Sequence, residues 1–215
     1  MSPTPSQETR ERLLDAAERL FGEHGIDAAS LRDITREAGA NVAAVNYHFG
    51  SKEALLPAIC ERRFTPLNAE RIRMLDLAES AAGESPPTVE SIVQAFVGPT
   101  VRMCREHPEF MRLLGHIHHQ PEQMHEVVFK QCQFDDVVSR FRGAVIRAFP
   151  DSEIVDLWWG MNFMVGALIH TWIHLKNVEA LSKGEAVYDS DEAMIGRLVT
   201  FATAGLRALA VREPA

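Results

Sequence analysis

Apolar residues recur with helical spacing at the start of the chain. Within residues 9–24 they follow the i, i+3, i+4, i+7 pattern of an amphipathic helix, and Gly25 ends that helix. The apolar positions of this first helix are Leu13, Leu14, Ala17, Leu20 and Phe21. A second helix follows, because Ser30 and Asp33 have the spacing of a capping box and Gly39 supplies a stop.

A very short third helix is predicted from Asn41 to His48, and Ser51 caps a fourth that runs into the seventies. So short a helix is marginal by itself and must be held by packing. Val45 and Phe49 are four residues apart and can both face inward. Three helices joined by tight turns and followed by a long one are typical of a helix-turn-helix module with a connecting helix.

The rest of the chain also has a helical pattern. Pro57 and Pro66 each remove a backbone donor from the fourth helix, so we expect them to kink or divide it. After the polar, turn-rich linker AAGESPP, helices are predicted at roughly 88–107, 109–118, 122–149, 152–180 and 191–211. Sustained strand alternation and internal repeats are both lacking. The predicted fold is all-α with about nine helices.

The outward face of the third helix suits DNA. It carries Ala43, Ala44, Asn46, Tyr47 and His48. Small side chains let a helix lie deep in a major groove, where methyl groups can contact thymine and polar groups can reach bases or phosphates. Beside it, Ser30, Ser51 and Lys52, with the backbone amides that begin the second and fourth helices, would hold the DNA backbone. We interpret the third helix as a recognition helix.

The charge distribution permits a polyanionic partner near the N-terminus. The formal net charge is −8, which by itself argues against nucleic acid. Residues 1–75, however, contain 10 Lys and Arg against 11 Asp and Glu, whereas residues 76–215 contain 12 against 19. The N-terminal third is therefore near neutral and the remainder acidic.

Several classes of protein are disfavoured. Cys60, Cys104 and Cys132 are far apart and odd in number, so they are expected to be small buried side chains instead of a disulfide framework or zinc site. Nucleophile elbows, Gly-rich phosphate loops and HExxH sequences are missing, so we expect no enzyme and no cofactor. The longest nearly uncharged segment, residues 157–175, is interrupted by polar side chains. We expect a soluble, cytoplasmic protein with no membrane partner.

The segment TRERLLDAAERLFGEHGIDAASLRDITREAGANVAAVNYHFGSKEALL, at residues 9–56, resembles the DNA-binding domain of the TetR family of bacterial transcriptional regulators. The resemblance implies an all-α homodimer that binds a palindromic operator. It also implies a C-terminal domain that responds to a small molecule by moving the two recognition helices out of register. By this resemblance the DNA-contacting positions are Ser30, Asn41, Val42, Ala43, Ala44, Asn46, Tyr47, His48 and Lys52.

Two positions depart from the family pattern. Val42 and Asn46 stand where many relatives carry a longer polar or basic side chain and a tyrosine, so base preference cannot be copied. The recognition helix also lacks Arg and Lys, which predicts modest electrostatic affinity and few bidentate contacts to guanine.

The segment SEIVDLWWGMNFMVGALIHTWIHLK is too apolar to face water on any side. Gly160, Gly166 and Ala167 would allow another helix to approach closely. We therefore expect part of it to form a pocket wall and part a four-helix dimer interface with the last helix. The interface positions expected on that last helix are Met194, Ile195, Leu198, Phe201, Ala202, Leu206 and Leu209.

NVAAVNYHFGSKEAL, FMRLLGHIHHQ and LWWGMNFMVGAL together are similar to PsrA-like members of the family, which respond to long-chain fatty acids. This resemblance implies an elongated apolar cavity for a fatty acid or acyl-CoA. The candidate lining residues are Phe64, Leu67, Phe110, Leu113, Leu114, Ile117, Phe129, Phe163, Met164 and Leu168. A fully packed core would use the same residue types.

The histidines support an alternative, a metal-responsive regulator. Their two clusters are His116, His118, His119 and His125, and the i, i+4 pair His170 and His174. Imidazole suits transition metals, but no Asp, Glu or Cys stands at a matching helical offset near HIHH. We therefore expect a hydrophobic effector and no metal.

The predicted organisation is a helix-turn-helix DNA-binding domain at 1–52, a connecting helix at 53–75 and an effector-binding and dimerisation domain at 76–215. The predicted function is a dimeric, ligand-responsive transcriptional regulator that acts as a repressor.

Overall fold

The computed structural model describes residues 4–117, 132 and 134–210. Within these residues the chain forms ten α-helices and no strand, which confirms the all-α prediction with a count of ten against about nine. The helices are α1 (Pro5–His24), α2 (Leu31–Glu37), α3 (Val42–His48), α4 (Leu55–Ala82), α5 (Val89–Glu106), α6 (Pro108–Ile117), α7 (Phe134–Ala148), α8 (Ile154–Ile173), α9 (Leu175–Leu181) and α10 (Asp191–Ala210).

The extra helix comes from a break in a segment predicted as one helix. Residues 152–180 form α8 and α9, and the break is at His174, whose φ of −113° and ψ of 17° leave the α region. Its backbone amide still donates to the carbonyl oxygen of His170 at 3.0 Å. The chain therefore turns between the two helices without leaving that amide unsatisfied.

Side-chain caps begin the first three helices. Thr4 accepts from the backbone amide of Gln7, and the Gln7 side chain accepts from that of Thr4, a reciprocal capping box. Ser30 accepts from the amide of Asp33 to begin α2, and Asn41 caps α3 in the same way. Such caps satisfy amides that the first turn of a helix leaves without partners.

The long helix α4 is not divided by its prolines. It begins at Leu55, four residues after Ser51, and continues to Ala82. Pro57 lies in the first turn, where a backbone amide would have no helical partner in any case. Pro66 lies inside the helix, which continues past it. Neither proline therefore divides the helix, and a kink at either of them stays a prediction.

The chain folds as two compact units, and each unit is built from two separate stretches of the sequence. Residues 1–66 and 107–133 form one unit, here called the N-terminal unit. Residues 67–106 and 134–215 form the second, here called the C-terminal unit. Helix α6 therefore belongs with the helix-turn-helix module, although the sequence places it inside the effector-binding stretch.

Close packing of α1 on α6 explains this grouping. Gly22 of α1 lies so near α6 that a Cβ built on it would come within 2.7 Å of the backbone oxygen of Glu109. The His116 ring of α6 is 3.3 Å, through Nε2, from the carbonyl oxygen of Gly22. Phe21, Phe110 and Leu113 are fully buried in this unit. The absence of a side chain at residue 22 is therefore what lets the two helices meet.

Substituting Gly22 with alanine is expected to lower the free energy of unfolding by about 1–3 kcal/mol, because the added methyl group overlaps a backbone atom. The matched control is Gly143→Ala in α7, where the nearest atom is the flexible Arg147 Nη1 at 3.7 Å. That variant should gain about 0.5–1 kcal/mol from helix propensity. Urea unfolding measures both, and equal effects in the two variants would contradict close α1–α6 packing.

The C-terminal unit has two apolar clusters. One joins α5, α8 and α10, and it contains Val97, Val101, Met164 and Leu168. The other joins α4, α5, α7 and the start of α8 around Leu75, Phe141 and neighbouring side chains. Burial of these side chains supplies the main stabilisation of the unit.

Most of the predicted interface positions on the last helix are buried within its own unit. Met194, Ile195, Leu198, Ala202 and Leu206 are all buried in the first cluster. Phe201 differs, being 66% exposed. The prediction that all seven positions form a dimer interface is therefore wrong for these five, because they follow the face that packs on α5 and α8.

By length and composition, α10 is the one helix in the described residues that could cross a membrane. It is also a core helix, since its apolar face packs against α5 and α8.

All three cysteines are buried, as predicted, and burial raises the pKa of the Cys104 thiol to about 12.

Candidate DNA-binding interface

Helix α3 turns one residue inward and most of the others outward. Val45 is fully buried, whereas Tyr47 is 80% exposed. Val42, Ala43 and Asn46 are also exposed. Seven residues make only two turns, so one buried valine is enough to seat this helix against α1 and α2.

The C-terminal end of α3 carries an aromatic group of side chains. The rings of Tyr47 and His48 meet edge to face, with centroids 4.9 Å apart. Phe49 is half-buried, and the guanidinium of Arg10 lies over its ring at 5.4 Å. The predicted inward orientation of Phe49 is therefore only partly realised. Arg10 brings to this end of α3 a positive charge that sequence reasoning missed.

Two of the predicted contact residues are also helix caps. The Ser30 hydroxyl accepts from the amide of Asp33 and donates to the Asp33 carboxylate, and this hydrogen bond lowers the pKa of that carboxyl group. Asn41 Oδ1 accepts from the amide of Ala44 at 2.9 Å. Both side chains are exposed, so they hold the helix ends in place at the surface where DNA is expected.

Lys52 has a partner within the chain. Its Nζ atom donates to the backbone oxygen of Asp27 at 3.4 Å and lies 6.0 Å from the centroid of the Phe21 ring. The ammonium is therefore drawn towards the loop before α2. To bind a phosphate directly, the Lys52 ammonium has to break this long hydrogen bond or use another of its N–H groups.

Within the N-terminal unit, a buried ion-pair network joins α1 to α4. Glu18 is 3% exposed and accepts from Arg62 at 2.6 Å and from Arg63 at 2.9 Å. Arg63 Nη1 also lies 3.2 Å from His107 Nε2. Sequence reasoning missed this network, although one signal was present: Glu18 is four residues after Leu14, on the face of α1 that turns inward.

The predicted pocket residues divide between the two units. The Phe64 and Phe110 rings meet edge to face in the N-terminal unit, 5.3 Å apart, with Leu113 and Ile117 buried and Leu114 half-buried. Leu67, Met164 and Leu168 are buried in the C-terminal unit. Phe129 lies outside the described residues.

Phe163 is a correction to the predicted pocket. It is 55% exposed and stacks on Trp159, with ring centroids 5.8 Å apart. Its neighbour Met164 is the residue that faces the core, and successive helical residues point about 100° apart. Phe163 therefore lies on the surface of its unit.

The described histidines do not assemble a metal site. His116 lies beside the Gly22 carbonyl, and the rings of His170 and His174 have centroids 4.5 Å apart. Among residues 4–117, 132 and 134–210, no group of three His, Cys, Asp or Glu side chains is placed to hold an ion. His118, His119 and His125 lie outside the described residues.

Two family models match the chain. One, for bacterial regulatory proteins of the tetR family, covers residues 13–59, and the other, for the tetracyclin repressor-like C-terminal domain, covers residues 94–205, about half of the chain. The HTH-type transcriptional regulator YerO of Bacillus subtilis is 24% identical over 86% of this chain and 60% of its own length. AcrR of Shigella flexneri is 30% identical over 60% of this chain and 52% of its own length. The chain thus spans only half to three fifths of these relatives.

Solved structures share the fold. The fatty acid degradation regulator FadR of Bacillus halodurans superposes with a TM-score of 0.64 over 96% of this chain and 99% of its own, at 15% identity. HlyIIR, a hemolysin II transcriptional regulator, gives a TM-score of 0.62 over 92% and 98%, at 18% identity. At such identities the likeness is one of fold alone.

Proposed function

Because this chain belongs to the TetR family of bacterial regulatory proteins, we propose that it is a cytoplasmic, ligand-responsive repressor that binds a palindromic operator as a homodimer. The observation that carries this proposal is the short helix α3, which buries Val45 and leaves Tyr47 80% exposed. A helix so short, held from behind and with its small and polar residues outward, fits a major groove.

The proposed DNA contacts divide by role. Val42, Ala43, Ala44, Asn46 and Tyr47 of α3 would meet base edges or the nearest phosphates. Ser30, Asn41, His48 and Lys52 would fix the register on the backbone. Arg10 lies beside Phe49 and also pairs with Glu11 at 3.0 Å, so the positive charge that it brings near α3 is partly neutralised.

An exposed apolar face on the C-terminal unit supports dimerisation. Val155, Trp159 and Phe163 recur every four residues along α8, and all are more than half exposed. Phe201 of α10 is exposed as well, and Cβ atoms built on Gly166 and Gly205 would meet nothing within 4 Å. Aromatic side chains and glycines on two helices suit close packing against the same helices of a second copy.

The proposed mechanism is a shift between two conformers of the dimer. An effector that binds the conformer with widely separated recognition helices lowers operator affinity by the ratio of its affinities for the two conformers. The effector we propose is hydrophobic, a long-chain fatty acid or acyl-CoA as in PsrA-like regulators. Its support is the apolar interior of the C-terminal unit, with Phe96, Phe141 and Met164 in its clusters.

The direct test is fluorescence anisotropy of the full-length protein on DNA from upstream of its own gene, titrated with a long-chain fatty acid and its acyl-CoA. Release of DNA at micromolar ligand is the expected result. If no acyl compound disturbs DNA binding, the proposal of a lipid effector is wrong, and the proposal of a DNA-binding regulator stands. A failure to bind any upstream DNA, by a folded protein, would count against both.

Lys52→Ala is expected to weaken binding to all DNA sequences. It should also reduce the slope of log K against log salt concentration by about 0.9 per subunit, the equivalent of one phosphate contact. Lys176→Ala, on the exposed surface of α9, removes the same charge from the other unit and is the matched control. Anisotropy titrations at several salt concentrations measure both, and equal slopes for the two variants would place Lys52 outside the interface.

A further inference from the structure

A buried cation in the C-terminal unit has no counter-ion among the residues that the structure describes. Arg71 of α4 is 5% exposed, and no carboxylate of the described residues lies within ion-pair distance of its guanidinium. The arginines whose carboxylate partners lie on neighbouring helices, such as Arg62, Arg105 and Arg140, are all more exposed. Arg71 is thus more enclosed than any of these three arginines, and its hydrogen-bond acceptors among the described residues are neutral.

The hydrogen bonds of Arg71 are incomplete. Nη1 donates to Asn68 Oδ1 at 3.1 Å and Nη2 donates to Thr100 Oγ1 at 2.8 Å. The Thr100 hydroxyl in turn donates a hydrogen bond to the backbone oxygen of Phe96 at 2.7 Å. Among the described residues, the buried Nε of Arg71 has no hydrogen-bond partner. A guanidinium has five N–H donors, and the hydrogen bonds found in the described residues use two of them.

The surroundings of this cation are apolar. The Phe96 ring lies 3.8 Å from Arg71 Cζ and packs edge to face on Phe141, with ring centroids 5.3 Å apart. Phe96 also packs against both core clusters of the unit. The Phe96 ring therefore contacts both the charged guanidinium of Arg71 and the apolar interior of the unit.

An unpaired charge in such surroundings is costly. Burial lowers the pKa of the Arg71 guanidinium to about 9, so the group still carries its charge at pH 7. A buried charge is normally paired, because transfer out of water without a counter-ion is strongly unfavourable. The cation–π contact with Phe96 and the two neutral acceptors offset this only in part.

We propose that Arg71 is the anchor for the carboxylate of an amphipathic effector, with the apolar body of the effector lying against the side chains around Phe96. This rests on the proposed ligand-responsive function and narrows its ligand to a free acid. A carboxylate accepts two parallel N–H bonds from a guanidinium and supplies the missing charge. The enclosed position of Arg71 disfavours the bulky, multiply charged head of a CoA thioester.

The experiment compares three ligands on the full-length dimer by titration calorimetry: dodecanoate, dodecan-1-ol and dodecanoyl-CoA. Wild-type protein should bind dodecanoate most tightly. Arg71→Met should lower the dodecanoate affinity at least about 30-fold, the usual effect of removing one partner of a buried charge pair, and leave dodecan-1-ol unchanged. Arg73→Met, an exposed arginine two residues along α4 that pairs with Glu70, is the matched control and should bind like wild type.

A second measurement separates ligand binding from a structural role. Ligand-free Arg71→Met should have a Tm equal to or above that of wild type, because it removes a buried charge that the free protein leaves uncompensated. Arg71→Lys keeps the charge and loses the planar fork, so it should fall between wild type and Arg71→Met in dodecanoate affinity. A lowered Tm in the methionine variant, with wild-type dodecanoate affinity in the lysine variant, would make Arg71 a structural residue.

Two further results would overturn the inference. Equal affinity of wild-type protein for dodecanoate and dodecan-1-ol would remove the carboxylate anchor and keep a hydrophobic effector. Binding of none of the three ligands by a protein that still binds its operator would remove both the anchor and the acyl effector. Operator anisotropy on the same preparations tells these failures apart from a failure of the DNA-binding assignment.

Discussion

Replacing Tyr47 with alanine is expected to weaken operator binding at least about 30-fold and to leave the fold and the dimer intact. The side chain is 80% exposed, and its ring contact is with the neighbouring His48. Its loss therefore removes little from the folded protein. A contact to a base edge in the major groove is worth about 1–3 kcal/mol, and a dimer loses it in both half-sites.

Three measurements check this prediction. Anisotropy on operator DNA gives the affinity, circular dichroism the helix content and size-exclusion chromatography the dimer. Tyr47→Phe is the matched control, because it keeps the ring and removes the hydroxyl group, so it separates stacking or packing on DNA from hydrogen bonding. A folded, dimeric Tyr47→Ala protein with wild-type operator affinity would count against α3 as the recognition helix.

Replacing Glu18 with glutamine is expected to lower the free energy of unfolding by about 3–5 kcal/mol, the largest stability effect we anticipate in this chain. The carboxylate is 3% exposed and accepts from both Arg62 and Arg63. Arg62 would keep Glu11 and Asp15 as partners, at 3.1 and 2.8 Å. Arg63 would keep only His107 among the partners found in the described residues. A largely buried charge would then lack an opposite charge, which is the costly outcome.

Asp15→Asn is the control for this prediction. Its carboxylate also pairs with Arg62 but its side chain is 67% exposed, so its loss should cost less than about 1 kcal/mol. Urea unfolding of the three proteins gives the free energies. If Glu18→Gln cost no more than Asp15→Asn, the buried network would not be what fastens α1 to α4.

Helix α4 carries arginines that belong to both units. Arg62 and Arg63 fasten α1 within the N-terminal unit, and Arg71, two turns further along the same helix, belongs to the C-terminal unit. The helix therefore carries both the arginines that pair with Glu18 of α1 and the proposed anchor for the effector. Under the proposed mechanism, an anion that pairs with Arg71 acts on the element that also holds α1.

Much of the DNA-binding module could be predicted because its signals are local. Caps at Ser30 and Asn41 act within three residues of themselves, and a buried Val45 with an exposed Tyr47 follows from helical spacing alone. The module also matches a sequence family over residues 13–59. Local chemistry therefore predicts which face of α3 is exposed, and the family match covers the whole of that helix.

Long-range pairing could not be predicted in this way. Glu18, Arg62 and Arg63 are ordinary charged residues until packing brings both guanidinium groups within 3 Å of the Glu18 carboxylate. Phe163 and Met164 are adjacent apolar residues, and only the packing of α8 on α5 and α10 decides that Met164 is buried and Phe163 exposed. Likewise, α6 joins the N-terminal unit because a glycine at position 22 permits contact.

The sequence by itself determined the helical fold class, the caps of α2 and α3 and the face that α3 presents, because each depends on neighbours within about one helical turn. The tertiary structure alone decided which charges are paired. It placed Glu18 between two arginines and left Arg71 buried with neutral partners, since burial and counter-ions come from helices far apart in the chain. The difference is physical: caps act locally, whereas desolvation depends on everything packed around a group.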